Sequence, residues 1–263
     1  MRDAEEELGI AKRKLEQLEY THASCLKEIE AIRRELEGNA ADYRAAQEEL
    51  QYFVYAASHD LQQPLRAVGT HAQLLQRQFR DDERVKEFTT VIIQNAAQMN
   101  GLITDLLTYS RSGNTPQCAS LNLNAPLQWA IFNLGKDIQQ CGAQVTSGEL
   151  PEAFADEKQM VTVFENLLSN SLKYRASEPP EVNVRGDAGD EFHTVSVHDN
   201  GVGIKPEFHE KVFEPFKRLH GKEIPGSGLG LSICRKILRA HRGKIWVESD
   251  GQRGSTVKFT VPA

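Results

Sequence analysis

Apolar residues recur at heptad spacing from residue 5 to about residue 57, in a stretch rich in Glu, Lys, Arg, Leu and Ala and free of proline. One stripe runs Leu8, Leu15, Ile29, Leu36, Tyr43, Leu50, Ala57. A second, three residues on, runs Ala11, Leu18, Cys25, Ile32, Ala46, Phe53, with His22 and Asn39 interrupting. A repeat of this kind predicts a long helix whose seam needs a partner. Gly38-Asn39 is its weakest step, where the helix is expected to break or shift register, because glycine disfavours a helix interior. The helical pattern continues to about residue 79, stops at the polar cluster Arg80-Asp81-Asp82-Glu83 and resumes over residues 85–109. In that second arm Phe88, Val91, Ile92, Ala96, Met99, Leu102, Ile103, Leu106 and Leu107 form a stripe wider than one neighbouring helix covers. The pattern is that of a helical hairpin, and two hairpins from two chains make a four-helix bundle.

Ser112-Gly113-Asn114-Thr115-Pro116 reads as a linker. Beyond it, strand-like runs at residues 144–147, 181–185, 194–198, 244–249 and 255–261 alternate with helical patterns at residues 125–139, 157–174 and 229–241, which predicts an α/β sandwich. The expected organisation is a coiled coil over residues 1–50, a helical hairpin over 51–112, a linker over 113–119 and an α/β domain over 120–263.

Composition narrows the classes of function. The 263 residues are 40% hydrophobic and 26% charged, with a formal charge of -6, so no basic excess points to nucleic acid as the main ligand. No run of about 18 apolar residues spans a bilayer, and Met1 is followed by charged residues instead of a signal segment; the expectation is a cytoplasmic chain with no membrane partner. Cys25, Cys118, Cys141 and Cys234 are scattered, without a C-x-x-C pair, and read as reduced structural thiols.

Four short segments carry chemistry. The first is Ser58-His59-Asp60-Leu61-Gln62-Gln63-Pro64-Leu65-Arg66. His59 lies two positions after Ala57 of the seam, roughly 200° around the helix, and is expected to be exposed. Asp60 can accept the ring proton and so decide which nitrogen is free to attack phosphorus. Pro64 removes the amide that would bond the Asp60 carbonyl and should bend the helix there. The second is the helix at 165–175, where Asn166, Asn170 and Lys173 fall within an arc of about 60° opposite Val161, Phe164, Leu168 and Leu172. An amide oxygen there suits a magnesium ion that keeps its waters and sits on nucleotide phosphates, and Lys173 can offset phosphate charge.

In the third, Val195 to Gly203, alternation turns Asp199 toward the core at a strand end. A buried carboxylate needs a donor, which an adenine amino group can supply, and Gly201 and Gly203 admit the base closely. The fourth, Gly226-Ser227-Gly228-Leu229-Gly230-Leu231, opens a helix and frees backbone amides for phosphate. It is neither a dinucleotide fingerprint nor a Walker A loop. Between the third and fourth, residues 204–225 are long enough for a lid, in which Phe213 and Phe216 would pack on closure and Lys217 or Arg218 would reach a phosphate.

In this order the segments resemble the phosphoacceptor, asparagine, glycine and phenylalanine boxes of sensor histidine kinases, over about residues 51–263. Gly254-Ser255-Thr256 is similar to a further Gly-x-Thr element of that family, and the Ser-His-Asp-Leu and Phe-x-x-Phe-x-Arg-Leu-His runs look most like its phytochrome-type branch. The resemblance implies a HisKA-like dimerisation bundle and an ATP-binding α/β sandwich of the kind shared with gyrase and Hsp90. It implies His59 as phosphoacceptor, Asp60 as its acid/base neighbour, Asn170 as magnesium ligand and Asp199 as adenine reader. Asn166, Lys173, Gly201, Gly203, Lys217, Arg218, Gly228, Leu229, Gly230 and Thr256 complete the implied site. The implied cofactors are ATP and Mg2+. The implied partners are a second copy in a homodimer and a response regulator receiver domain, with an upstream sensory domain expected to be absent from this chain. Gln63 stands where many members carry Thr or Asn to position a hydrolytic water, so phosphatase activity is not implied. A related ATPase working as a conformational clamp, or a coiled-coil interaction module with a degenerate sandwich, are the rival classes.

Overall fold

The computed structural model describes the backbone of residues 2–219 and 226–263, and in the N-terminal helix the side chains of residues 22, 26–30, 32–39, 41–42 and from 45 onward. The side chains of Leu8, Leu15, Tyr43, Ala11, Leu18 and Cys25 of the heptad stripes, and the whole of His220 to Pro225 of the expected lid, lie outside what is described. Helix α1 (Arg2–Gln78) passes through Gly38-Asn39 without a break. One glycine costs a helix only about 1 kcal/mol, which flanking Glu, Arg and Leu outweigh. The chain divides into two compact units, residues 1–53 and 54–263. In the first, Ile29, Ile32, Leu36, Leu50 and Phe53 are all exposed, so these described positions of the seam are bare on a single chain.

In the second unit the end of α1 turns back into α2 (Glu83–Arg111). Asp82 caps α2, its carboxylate accepting from the amides of Arg84 (3.0 Å) and Val85 (3.2 Å). Asp82→Ala should lower stability by about 1 kcal/mol, as urea unfolding would measure. Gln76 donates to Thr90 Oγ1 across the hairpin at 2.9 Å, Gly69 lies against Ala96, and the Arg111 guanidinium sits 5.1 Å from the centre of the Tyr55 ring. Ala72, Thr89, Ala96 and Ile103 are buried within the unit, whereas Leu61, Val68, Leu75, Phe88, Val91 and Met99 remain exposed. The second arm therefore has more apolar surface than its own hairpin covers. No helix among the described residues is long and apolar enough to cross a membrane.

The α/β domain follows as β1 (Ala119–Asn122), α3 (Asn124–Asn133), α4 (Gly135–Cys141), β2 (Gln144–Ser147), β3 (Glu152–Ala155), α5 (Glu157–Lys173), β4 (Glu181–Asp187), β5 (Phe192–Asp199), α6 (Gly230–Ala240), β6 (Ile245–Glu248) and β7 (Ser255–Pro262). Five strands form one sheet in the order β2-β4-β5-β7-β6, with β2 parallel to β4 and the other neighbours antiparallel. β1 and β3 pair separately. Alternation along β5 and β7 buries Val195, Val197, Val257, Phe259 and Val261, while Ser196, His198, Thr256 and Lys258 take the opposite face. The buried face meets Leu127 of α3, Phe164 and Leu168 of α5 and Ile233 and Ile237 of α6. The helix expected over 125–139 is two helices, because the chain turns at Leu134 (φ -90, ψ 6) before Gly135.

The α/β domain also packs on the hairpin. Lys236 Nζ of α6 donates to the carbonyl oxygen of Tyr109 (2.9 Å) and approaches that of Ser110 (3.4 Å), at the C-terminal end of α2, and lies 4.9 Å from the Tyr109 ring centre. A cation suits that end of a helix. Partial burial holds the Lys236 ammonium below the usual lysine range.

Candidate functional site

Helix α5 is amphipathic, as its spacing predicts: Phe164, Leu168 and Leu172 are buried in the domain, and Asn166, Asn170 and Lys173 line a cavity of about 530 Å³ on the other side. That volume suits a drug-sized or nucleotide-sized ligand. Gly203, Lys217, Arg218, Gly228 and Gly230 line the same cavity, together with Asp199 and Ser255. The asparagine helix, the end of β5 and the glycine loop thus converge on one space.

Asp199 ends β5 on the helix-covered face and is buried. Its carboxylate already has donors within the chain: Ser255 Oγ at 2.7 Å and the Gly201 amide at 2.9 Å. The donor requirement that the sequence reading assigned to adenine is thus met in part by the protein, and the carboxylate is held rigidly. Gly201 acts here through its amide and does not line the cavity; a Cβ on it would come within 2.5 Å of the Tyr174 carbonyl oxygen.

Two expected site residues face elsewhere. Thr256 lies on the outer face of the sheet, hydrogen-bonding distance from His198 Nδ1 (3.0 Å), since β7 alternates and its neighbour Ser255 takes the inner face. Leu229 is fully buried in the core, and its amide donates to Ser227 Oγ at 3.1 Å, so this residue anchors the glycine loop without lining the cavity.

The glycine loop is close-fitted to its surroundings. Gly228 has φ +74°, and a Cβ there would meet the Lys217 carbonyl oxygen and the Phe216 carbonyl carbon at 2.9 Å. A Cβ on Gly230 would stand 2.7 Å from Asn166 Oδ1. In the segment before it, Phe213 is buried under the Arg235 guanidinium, 5.7 Å from the ring centre, but Phe216 is exposed with φ 62°. Of the two aromatic residues, Phe213 is packed into the domain and Phe216 is not.

Asn166 Nδ2 donates to the Thr162 carbonyl oxygen (2.8 Å), which leaves its Oδ1 toward Gly230. No group of three or more His, Cys, Asp or Glu side chains among the described residues makes a protein-only metal cage. Amide oxygens in a cavity that admits phosphates fit magnesium, which requires few protein ligands when phosphates supply the rest.

His59 and Asp60 are exposed on α1, with His59 Nδ1 3.4 Å from Asp60 Oδ1. They do not line the cavity. The contacts of Tyr55 with Arg111 and of Gly69 with Ala96 bracket His59 and set it within about a turn of Leu106–Thr108 on α2. That stretch borders the cavity, which Thr104, Asp105 and Thr108 help to line. These three, with Asn133 and Glu165 (Asn133 Nδ2 to Glu165 Oε1, 2.6 Å), were absent from the expected site. Ser255 was readable from the alternation of β7; the α2 residues depend on how the hairpin docks.

Comparison with known proteins agrees with this layout. Residues 49–115 match the His Kinase A (phospho-acceptor) domain, and residues 155–263 match the histidine kinase-, DNA gyrase B- and HSP90-like ATPase family. The phytochrome-like protein Cph1 of Synechocystis sp. is 36% identical over 240 residues, which is 90% of this chain and 31% of that protein. Cyanobacterial phytochrome A of Nostoc sp. is 38% identical over 232 residues, 87% of this chain and 30% of that protein. This chain therefore spans about a third of the length of these relatives. Full-length ShkA in complex with AMPPNP superposes with a TM-score of 0.63 at 22% identity, covering 80% of this chain and 45% of that one. Histidine kinase ThkA in complex with the response regulator protein TrrA gives 0.56 at 24% identity, covering 79% and 60%. At these identities the two structures speak to the fold alone.

Proposed function

This chain carries the core of a sensor histidine kinase, and we propose that it transfers the γ-phosphoryl group of ATP to its own His59 and thence to an aspartate of a response regulator. The observation that carries this reading is the convergence of Asn166, Asn170, Asp199 and the Gly228–Gly230 loop on one cavity beside the hairpin that exposes His59. The proposed domains are a signalling coiled coil over residues 1–50, a dimerising phosphotransfer hairpin over 51–112, a linker over 113–119 and the ATP-binding domain over 120–263.

The residues divide the work as follows. Asp199 reads the adenine amino group, with Ser255 and the Gly201 amide holding its carboxylate in place. The loop amides at the start of α6 face the phosphates, and Lys173, Lys217 and Arg218 offset their charge. Asn170, with Asn166 beside it, offers amide oxygens to magnesium, which when bound neutralises phosphate charge. At the acceptor, Nδ1 of His59 faces Asp60 and leaves Nε2 free. Nε2 bonds to the γ-phosphorus as the bond from that phosphorus to the bridging oxygen breaks, the electron pair leaves with ADP, and Asp60 takes up charge or proton from Nδ1. Two copies of the hairpin pair through the exposed Leu61, Val68, Leu75, Val91 and Met99, forming a homodimer.

Incubation with γ-phosphate-labelled ATP and magnesium tests this reading. Acid-labile, base-stable label on the protein is the expected result. Phosphate release without any such label would overturn it in favour of an ATPase clamp.

A further inference from the structure

Among the described residues, three carboxylates line the cavity: Asp105, Glu165 and Asp199. Glu165 is held by Asn133, and Asp199 by Ser255 and Gly201. Asp105 comes from the hairpin, is half-buried, and has no hydrogen bond or ion pair among the described residues. Its place in the cavity follows from how α2 lies on α6. Tyr109 and Ser110 meet Lys236, two turns into α6, whereas Asp105, a turn earlier on α2, lines the cavity with Gly230 and Leu231, where α6 begins. The two helices thus run side by side in one direction, and Asp105 stands toward the glycine-loop end, the end at which phosphates are proposed to bind.

We infer that Asp105 is a specificity-determining residue that makes the docked site discriminate between magnesium-complexed ATP and the metal-free polyanion. The inference rests on the nucleotide reading of the cavity given above. An unpaired carboxylate at the phosphate end repels metal-free ATP more strongly than the metal-neutralised form, because the repulsion scales with the phosphate charge it faces. Lys236 is the positioning residue: its bonds to the α2 carbonyls keep Asp105 at the cavity wall. Discrimination is then a property of the hairpin-docked state and weakens when that contact is lost.

The test is isothermal titration calorimetry of the whole chain with ATP in excess MgCl2 and with ATP in EDTA, for wild type, Asp105→Asn, Lys236→Gln and the double variant. Asp105→Asn should reduce the ratio of the two affinities by on the order of tenfold, chiefly by tightening the metal-free complex. In the Lys236→Gln background the same substitution should change the ratio much less, as coupled residues do in a double-mutant cycle. An unchanged ratio in Asp105→Asn, with ATP still bound, overturns the role of Asp105 and leaves the nucleotide site standing. An Asp105 effect undiminished in Lys236→Gln overturns the dependence on docking. Failure of folded wild type to bind ATP under either condition overturns the nucleotide reading itself.

Discussion

Replacing His59 with glutamine is expected to abolish phosphoryl uptake by the protein, by at least about three orders of magnitude, while leaving ATP affinity within about twofold of wild type. The separation of the two effects follows from the layout. His59 lies on α1, exposed and outside the set of residues that line the cavity, so its side chain contributes nothing to nucleotide contacts. Glutamine is tolerated in a helix and fills a similar volume, so hairpin packing should persist. Its amide nitrogen has no available lone pair, whereas the imidazole Nε2 is left nucleophilic by the Nδ1 contact with Asp60. Labelling with γ-phosphate-labelled ATP, run beside calorimetric binding, separates the two quantities. Acid-labile label persisting in the variant would place the acceptor on another residue. Loss of ATP binding together with label would show that His59 supports the nucleotide site, contrary to its position.

The sequence carried the hairpin, the five sheet strands and the three principal helices of the α/β domain because each is governed by a local period. Heptads in α1, the wide apolar stripe of α2, alternation in β5 and β7, and the 3.6-residue spacing of α5 require only neighbours in the chain. What it did not carry depends on partners distant in sequence. β1 and β3 are four residues each; β1 is largely exposed, and β3 buries only Ala153 and Ala155, so neither shows a strong apolar alternation until the two are paired. The break at Leu134 lies within a segment whose helical pattern does not change. At the site, Asn166, Asn170 and Asp199 could be oriented from periodicity. Thr256 was misplaced through the resemblance, although alternation with Val257 and Phe259 puts Ser255 on the inner face. Thr104, Asp105 and Thr108 reach the cavity only because α2 docks along α6, a tertiary event that leaves no mark in the local pattern of residues 85–109.

Asp199→Asn should weaken ATP binding by about a hundredfold or more without unfolding the domain, and should alter which base the site prefers. In the native arrangement both carboxylate oxygens accept, one from Ser255 Oγ and the other from the Gly201 amide. Asparagine keeps a single acceptor. Directing its oxygen to Ser255 would set its NH2 group against the Gly201 N–H, two donors in contact with no rotation to relieve them. The oxygen must therefore stay on Gly201, and the NH2 takes the place of the oxygen bonded to Ser255, whose hydroxyl can turn to accept. The domain then survives with a loss of about 1–2 kcal/mol, in keeping with one hydrogen bond weakened at a buried site. Toward the ligand the sign of the interaction reverses. An amino group of adenine meets a neutral side chain whose one free N–H points outward, whereas the 6-oxo group of hypoxanthine can accept from it. Measured affinities for ATP and inosine triphosphate should therefore converge or invert in the variant, after strong preference for ATP in wild type. An unchanged ATP affinity, or an equal loss for both nucleotides in a folded variant, would mean that Asp199 braces the end of β5 and that the base is read by other groups.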